Sequence, residues 1–391
     1  MTDPGGYVAG IHELPYREAP NRSSLQLHAE AAHRALADAG IPKTDVDAYF
    51  TAGVPEYSYG KPALMMADYM GFDLATTGTT DFGGSSYVNH VGHAVSAFGQ
   101  NKCDVALVTW AGRPRSRRQA TGTGVRKLSV PQDSFERIYG ETTVANYALA
   151  AQRHMHEYGT TSEQLAEIRV AAGHHAQYNE HALYPDPVTV DEVVNSRPIA
   201  DPLHLLDCCV ITDGGGAFVL VSDSYRDRVD RKCVRILGHG ESVGHPAAGR
   251  LDITTTAAAD SGRRAFAEAG LTPADVDYAS IYDSFTITVL ETLEDLGFCP
   301  KGEGGRFVEG GTLLAPDGEL PINTDGGGLA SNHPGNRGGM TKILEAVRQL
   351  RGEANPPVQL DDPQVALVHG TGGRISTRHG CATVLLGRGD T

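Results

Sequence analysis

The fourteen residues RALADAGIPKTDVD (Arg34 to Asp47) return as RAFAEAGLTPADVD (Arg264 to Asp277), with eight positions identical at a constant offset of 230. Each copy reads as the end of an amphipathic helix, a glycine stop at Gly40 or Gly270, a short turn and a strand. The strands that follow are AYFTAGV and YASIYDSF. A helix stripe and a sheet face each need a partner layer to bury them. Two copies therefore predict two similar α/β halves. Further runs rich in Val and Leu (CDVALVTW, GAFVLVS, CVRILGHGES, QVALVHG and CATVLLG) are separated by helical patterns. They read as buried strands of a mixed sheet.

The halves are interrupted. Residues 1–112 and 203–228 form the expected first half, 229–391 the second, and 113–202 an inserted loop-and-cap domain. The insertion begins with the polar, Gly-rich GRPRSRRQATGTGVRK, an exposed loop by composition. Two helical stretches follow, and the second starts with the capping signal Thr161–Ser162–Glu163–Gln164. The expectation is a cap laid over the first half, covering a cleft.

A formal net charge of −15 argues against general affinity for nucleic acid or an anionic membrane. No apolar run reaches the roughly 18 residues of a membrane span. The N-terminus MTDPGGYVAGI has neither a basic nor an apolar signal region, so a reducing, cytoplasmic setting is expected. The six cysteines show no metal-ligand spacing and read as small buried apolar groups. His90 and His93 lie three apart on a helix but lack a third ligand at matching spacing, so no metal site is expected.

Five ordered motifs carry a resemblance over nearly the whole chain: the glycine turn TTDFGGSS, CCVITDGGGAFVLVS, Tyr282-Asp283-Ser284-Phe285, SNHPGNRGG and LVHGTGG. Together they resemble the thiolase superfamily, and within it the sterol-carrier-protein-type thiolases or lipid-transfer proteins. IYDSFTITVLETLEDLGFCPKGEGG and SRPIADPLHLLDCC are most similar to members that cleave steroid side chains by retro-aldol chemistry with a small OB-fold partner of the DUF35 type. The resemblance implies a thiolase fold of two duplicated halves in five layers (αβαβα). It implies a homodimer formed through the first half and a heterotetramer with the DUF35-type subunit. It implies an acyl-CoA substrate and no cofactor in this chain, any zinc belonging to the partner.

The resemblance is uneven at the chemistry. Where thiolases carry the acyl-accepting cysteine, this chain has Asp81; where they carry H-D-C-F, it has Tyr282-Asp283-Ser284-Phe285. The G-H-P histidine is kept as His333, and the late catalytic position is held by His369. Related aldolases place a tyrosine close to the His333 position, and NHPGNRGGM has none. A thiolase needs a thiolate nucleophile, and a carboxylate is a poor acyl carrier. Retro-aldol cleavage needs no acyl-enzyme, only a base, donors for the enolate oxygen and an acid. Tyr282, His333 and His369 are the expected catalytic groups. Asp81, Gly83, Ser85, Asp283, Ser284 and Gly372 are expected to hold the substrate, and Arg115, Arg117 and Arg118 the phosphates of CoA. The expected reaction splits a 3-hydroxyacyl-CoA, with a sterol or bile-acid side chain, into a ketone or aldehyde and propionyl-CoA or acetyl-CoA. Two alternatives stand beside it: a thiolase-like acyltransferase with a non-cysteine nucleophile, and a non-catalytic acyl-CoA- or lipid-binding subunit.

Overall fold

The computed structural model describes residues 5–57, 60–119, 142–245, 252–335, 338–375 and 377–389. Both copies of the repeat fold as their sequence predicts. Helix α1 (Ser24–Ala39) opens with a capping box between Ser23 and Gln26 and ends at Gly40, φ 68°. Helix α6 (Ala258–Ala269) ends at Gly270, φ 69°. Each glycine takes the left-handed conformation that stops the helix.

The first half contains β1 (Tyr7–Glu13), β2 (Ala48–Phe50), β3 (Thr76–Gly78), β4 (Val105–Gly112) and β7 (Gly214–Val221), with helices α2 (Pro62–Met70) and α3 (Ser86–Gly99). The second contains β8 (Val234–Gly244), β9 (Tyr278–Ile281), β10 (Val365–Arg374) and β11 (Thr377–Arg388), with α7 (Thr286–Asp295) and α8 (Gly339–Arg351). The strand order is β3-β2-β4-β7-β1-β8-β11-β10-β9. The pairing is duplicated as well as the sequence. β1 runs antiparallel to β7, β7 antiparallel to β4, and β4 parallel to β2. In the same way β8 is antiparallel to β11, β11 antiparallel to β10, and β10 parallel to β9. A parallel bridge from Ala279 to Ile322 stands where β3 stands in the first half.

The halves meet at a short joint, where Tyr7 and Val8 of β1 pair with Arg235 and Val234 of β8. Helix α1 covers β1, β4 and β7, and α6 covers β8 and β11. Helices α3 and α8 touch strands of both halves and each other. They form the middle of five layers and are buried along most of their length. Their inward placement brings the loops at their N-termini together between the halves.

The insertion supplies α4 (Thr143–Tyr158), α5 (Ser162–Ala176) and the antiparallel pair β5 (Pro198–Ala200) and β6 (Leu203–His204). Its helices lie over the second half, not the first, while its opening loop folds back on the first. Val144, Tyr147, Leu165 and Ile168 share one apolar cluster with Phe285, Leu290, Leu293 and Leu329. The apolar stripes of α4 and α5 find their partner in α7 and the loop before α8. Arg126 and Lys127 lie outside the described residues. Among the described residues no helix is long and apolar enough to cross a membrane.

Candidate active site

A cavity of about 840 Å³ opens between the halves and under the insertion. That is a volume suited to a sizeable ligand. Four loop clusters build it: the turn before α3, the turn after β9, the loop before α8 and the β10–β11 hairpin. The insertion closes one side with Thr143, Val144 and Tyr147 of α4 and with Arg197, Ile199 and Leu205.

The turn before α3 is held by its own side chains. Asp81 Oδ1 accepts the Gly83 N–H at 3.0 Å. Ser86 Oγ accepts the Phe82 N–H at 2.9 Å and donates to the Gly83 carbonyl at 2.7 Å. Asp81, Phe82, Gly83 and Gly84 line the cavity. Ser85 does not: it is fully buried and donates to the Phe82 carbonyl at 3.2 Å. Across from the turn, a Cβ at Gly372 would stand 1.6 Å from the Phe82 carbonyl oxygen and 2.8 Å from the Gly84 nitrogen. Only glycine lets the hairpin and the turn approach this closely.

Tyr282 leaves the end of β9, where its N–H donates to the His369 carbonyl at 2.9 Å. Its hydroxyl lies 2.7 Å from His333 Nε2, and both side chains line the cavity. Burial raises the Tyr282 phenol well above its usual value, reinforced by Cys209, Tyr147 and Asp283. Burial pushes His333 down to about 4, against the opposing pull of Asp283. Near neutral pH the pair is therefore an uncharged phenol against an uncharged imidazole. In the tautomer that carries its proton on Nδ1, the tyrosine hydroxyl donates to Nε2.

The remaining expected residues divide. Ser284 and Gly372 line the cavity. Asp283 lies behind the wall: its carboxylate accepts the N–H groups of Gly328 and Leu329 at 2.9 and 3.1 Å and meets Lys342 Nζ at 2.7 Å. His369 does not reach the cavity either. It is fully buried, with Nδ1 2.9 Å from Thr383 Oγ1. On the same face of β10, two residues nearer the mouth, Thr371 reaches the cavity instead. Arg115, Arg117 and Arg118 lie off the cavity on the loop after β4. That loop folds back on the first half: Arg113 pairs with Glu56, Ser116 N–H donates to Asp213 Oδ1 at 3.0 Å, and Arg115 Nη1 reaches the Ile211 carbonyl at 3.4 Å.

Sequence reasoning missed several lining residues. The arginines at the cavity are Arg197 and Arg378. His379 also lines it, beside Cys381 Sγ at 3.3 Å and Thr371 Oγ1 at 3.5 Å, and burial lowers it to about 4. The signal was the hairpin: a turn after Gly373 sets residues 378–380 beside Gly372 and Gly373. Cys208 and Cys209 face the cavity as well. Burial pushes the Cys208 thiol up to about 12 and raises Cys209 further, so neither is a thiolate. Among the described residues no cluster of His, Cys, Asp and Glu could hold a metal ion.

Residues 240–388 match the thiolase C-terminal domain-like family. The chain is 33% identical over 376 residues to the acetyl-CoA acetyltransferase of Methanothermobacter thermautotrophicus, covering 95% of this chain and 97% of that one. It is 35% identical over 380 residues to the steroid side-chain-cleaving aldolase of Thermomonospora curvata, covering 93% and 95%. The solved Ltp2–ChsH2(DUF35) aldolase superposes with a TM-score of 0.87 at 31% identity over 99% of both chains. With the duplicated strand pairing and the cavity between the halves, these matches show that the chain belongs to the thiolase superfamily.

Proposed function

We propose that this chain cleaves a 3-hydroxyacyl-CoA by a retro-aldol reaction, giving a ketone or aldehyde and a shorter acyl-CoA. The observation that carries this reading is the Tyr282–His333 pair, 2.7 Å apart on the cavity wall, opposite a turn that offers no thiol. Sequence identity alone does not choose between the chemistries, since acyltransferases and aldolases stand at similar distance. The site does. An acyl-enzyme needs a nucleophile at the α3 turn, and Asp81 is there.

The β-hydroxyl of the substrate gives its proton to Tyr282 Oη while Tyr282 gives its own to His333 Nε2. The electrons of the O–H bond form the new carbonyl, the Cα–Cβ bond breaks, and its pair moves into the thioester as an enolate. Donors at the enolate oxygen lower this barrier most. The turn at Gly83–Gly84 stands at the head of α3 and lines the cavity, and the helix head favours negative charge. After the ketone leaves, the proton returns through Tyr282 to Cα. No proton is gained or lost overall, and His333 is neutral again. The apolar side of the cavity, with Val144, Tyr147, Ile199 and Phe285, suits a large acyl group of the sterol or bile-acid side-chain kind. Arg197 and Arg378 suit the CoA phosphates.

The match to a solved DUF35-containing aldolase supports a DUF35-type partner for this chain; our reading joins the two in a heterotetramer around a homodimer. The test is to copurify the chain with a DUF35-type protein from its genomic neighbourhood and supply a panel of 3-hydroxyacyl-CoAs. Release of a ketone or aldehyde with stoichiometric shorter acyl-CoA supports the reading; no release from any member overturns it. An acyl adduct on this chain by intact mass would instead favour the acyltransferase alternative with a non-cysteine nucleophile.

A further inference from the structure

Asp283 was expected to touch substrate, and its actual partners suggest a different task. It follows Tyr282 directly in the chain. Its two carboxylate oxygens hold the N–H groups of Gly328 and Leu329, at the start of the loop that carries His333. Lys342, one turn into α8 on the far side of that loop, brings Nζ to 2.7 Å from Oδ1. Both side chains are almost fully buried. The rest of the loop is clamped by the segment before β7: Val210 N–H donates to the Gly328 carbonyl at 2.8 Å, and His333 N–H donates to Thr212 Oγ1 at 3.0 Å. The packing is tight where these groups meet. A Cβ at Gly328 would stand 3.0 Å from Asp283 Oδ1 and 3.3 Å from His333 Cδ2.

We propose that the buried Asp283–Lys342 ion pair positions His333 against Tyr282 for the retro-aldol step, a role that rests on the retro-aldol reading. The pair straps the two halves of the proton relay together. Tyr282 is fixed because Asp283 is its chain neighbour, and His333 because Asp283 and Lys342 grip the two ends of its loop. The two charges also act on His333 in opposite senses: Asp283 favours its imidazolium and Lys342 disfavours it. The other groups facing this relay are Cys209 and Tyr147, both beside Tyr282, Arg169 of α5, a buried cation near Asp283, and Asp325, a buried acid that interacts with Lys342. Lys342 therefore cannot be lost without leaving a carboxylate buried beside His333, nor Asp283 without leaving an ammonium there.

The test compares D283N, K342M, K342R and G328A in the full chain with its copurified partner, on a 3-hydroxyacyl-CoA that the parent cleaves. D283N is expected to lower kcat about 100-fold with KM within about threefold, the scale of loss from a misplaced catalytic group. Its acidic limb of kcat/KM should lie at or below that of the parent, since the group favouring imidazolium is gone. K342M should lower kcat by at least tenfold and move the limb to higher pH. K342R should keep the limb in place and stay within about threefold of parental kcat. G328A should lower kcat at least tenfold with the limb unmoved, because it disturbs the geometry and no charge. Limbs that move the same way in D283N and K342M, or parental kcat in both, would overturn the proposal. If those two variants fail to show a cooperative melt, the decision falls to K342R and G328A, and equal kcat in the two sinks it. Should the parent cleave no 3-hydroxyacyl-CoA, the retro-aldol reading fails separately. The positioning role is then read from NMR titration of His333 in D283N and K342M, where shifts of opposite sign are expected and shifts of one sign overturn it.

Discussion

In the first half the chain enters its central helix α3 through Asp81–Ser86; in the second it enters α8 through Gly326–Gly338. The first turn is held by short hydroxyl and carboxylate bonds to its own backbone, with Asp81 exposed at the cavity rim. The second is buried over residues 326–334 and gripped by Asp283 and Lys342. The helices differ in the same way. The buried face of α3 is almost wholly uncharged, whereas α8 carries Lys342, Glu345 and Arg351 into the interior. Glu345 Oε1 accepts from Thr324 Oγ1 at 2.6 Å, and Arg348 joins Glu345 and Glu13, each at 3.0 Å. Arg348 and Arg17 hold the buried Glu13 carboxyl down to about 2 although burial alone would raise it. One framework thus carries two kinds of turn: one at the cavity rim held by its own backbone, and a charge-braced one that holds His333 against Tyr282, the pair proposed to move the proton.

The largest expected effects test the braced side. Y282F and H333A should each lower kcat/KM by about 1,000-fold or more, within the usual reach of general acid–base groups, while leaving the melting transition in place. Parental turnover in both would move the chemistry elsewhere. The next test is on the permissive side. Gly372→Ala should force the hairpin off the Phe82 carbonyl, lowering kcat by about 100-fold and stability by about 1–3 kcal/mol, read by turnover and by chemical denaturation. An unchanged enzyme would mean that the close approach is dispensable. A smaller effect separates the arginines. R197Q and R378Q should each raise KM for acyl-CoA about tenfold with kcat little changed, and the combined R115Q/R117Q/R118Q variant should stay within about twofold. The reverse pattern would restore the CoA site to the loop after β4.

Acid acts on buried groups in both halves. His333 and His379, each lowered to about 4, and His175 and His369, each lowered to about 3, belong to the second half and its cap, whereas His90, lowered to about 3, and His12, also lowered by burial, belong to the first. Each stays neutral in the fold but binds a proton when unfolded below about pH 6.5. The unfolded state therefore gains protons first, and stability falls as pH drops from 6.5 toward 4. Asp325, raised to about 7 mainly by burial, and Glu291, Asp295, Glu167 and Asp207, also raised by burial, oppose this. The smallest effect is expected at the rim: D81N keeps the bond to Gly83 and should change kcat/KM by less than about threefold.

The repeat made the fold legible because its helix stops, turn and strand are local features. Gly40 and Gly270 announce their helix ends without help from the rest of the chain. Tyr282 and His333 were legible because each sits in a motif, and the structure brings them together. His369 was misplaced because a strand position one pleat period too deep looks the same in sequence as one at the rim. The arginine cluster was misplaced because a run of charge reports composition, not direction. The cap was assigned to the wrong half because an apolar stripe does not name its partner. Arg378 and His379 were invisible because only the hairpin return places them beside Gly372.

The two-residue joint between β1 and β8 has a consequence for how the chain reaches its native state. So little backbone pairing cannot hold the halves in register, so the task falls to α3 and α8, which each half contributes to the other's interior. A half made alone would present one of these helices to water with its apolar or charged inner face bare. Folding of the two copies is then a single cooperative event. The cavity is a late product of that event, assembled only when both helices have found the opposite sheet.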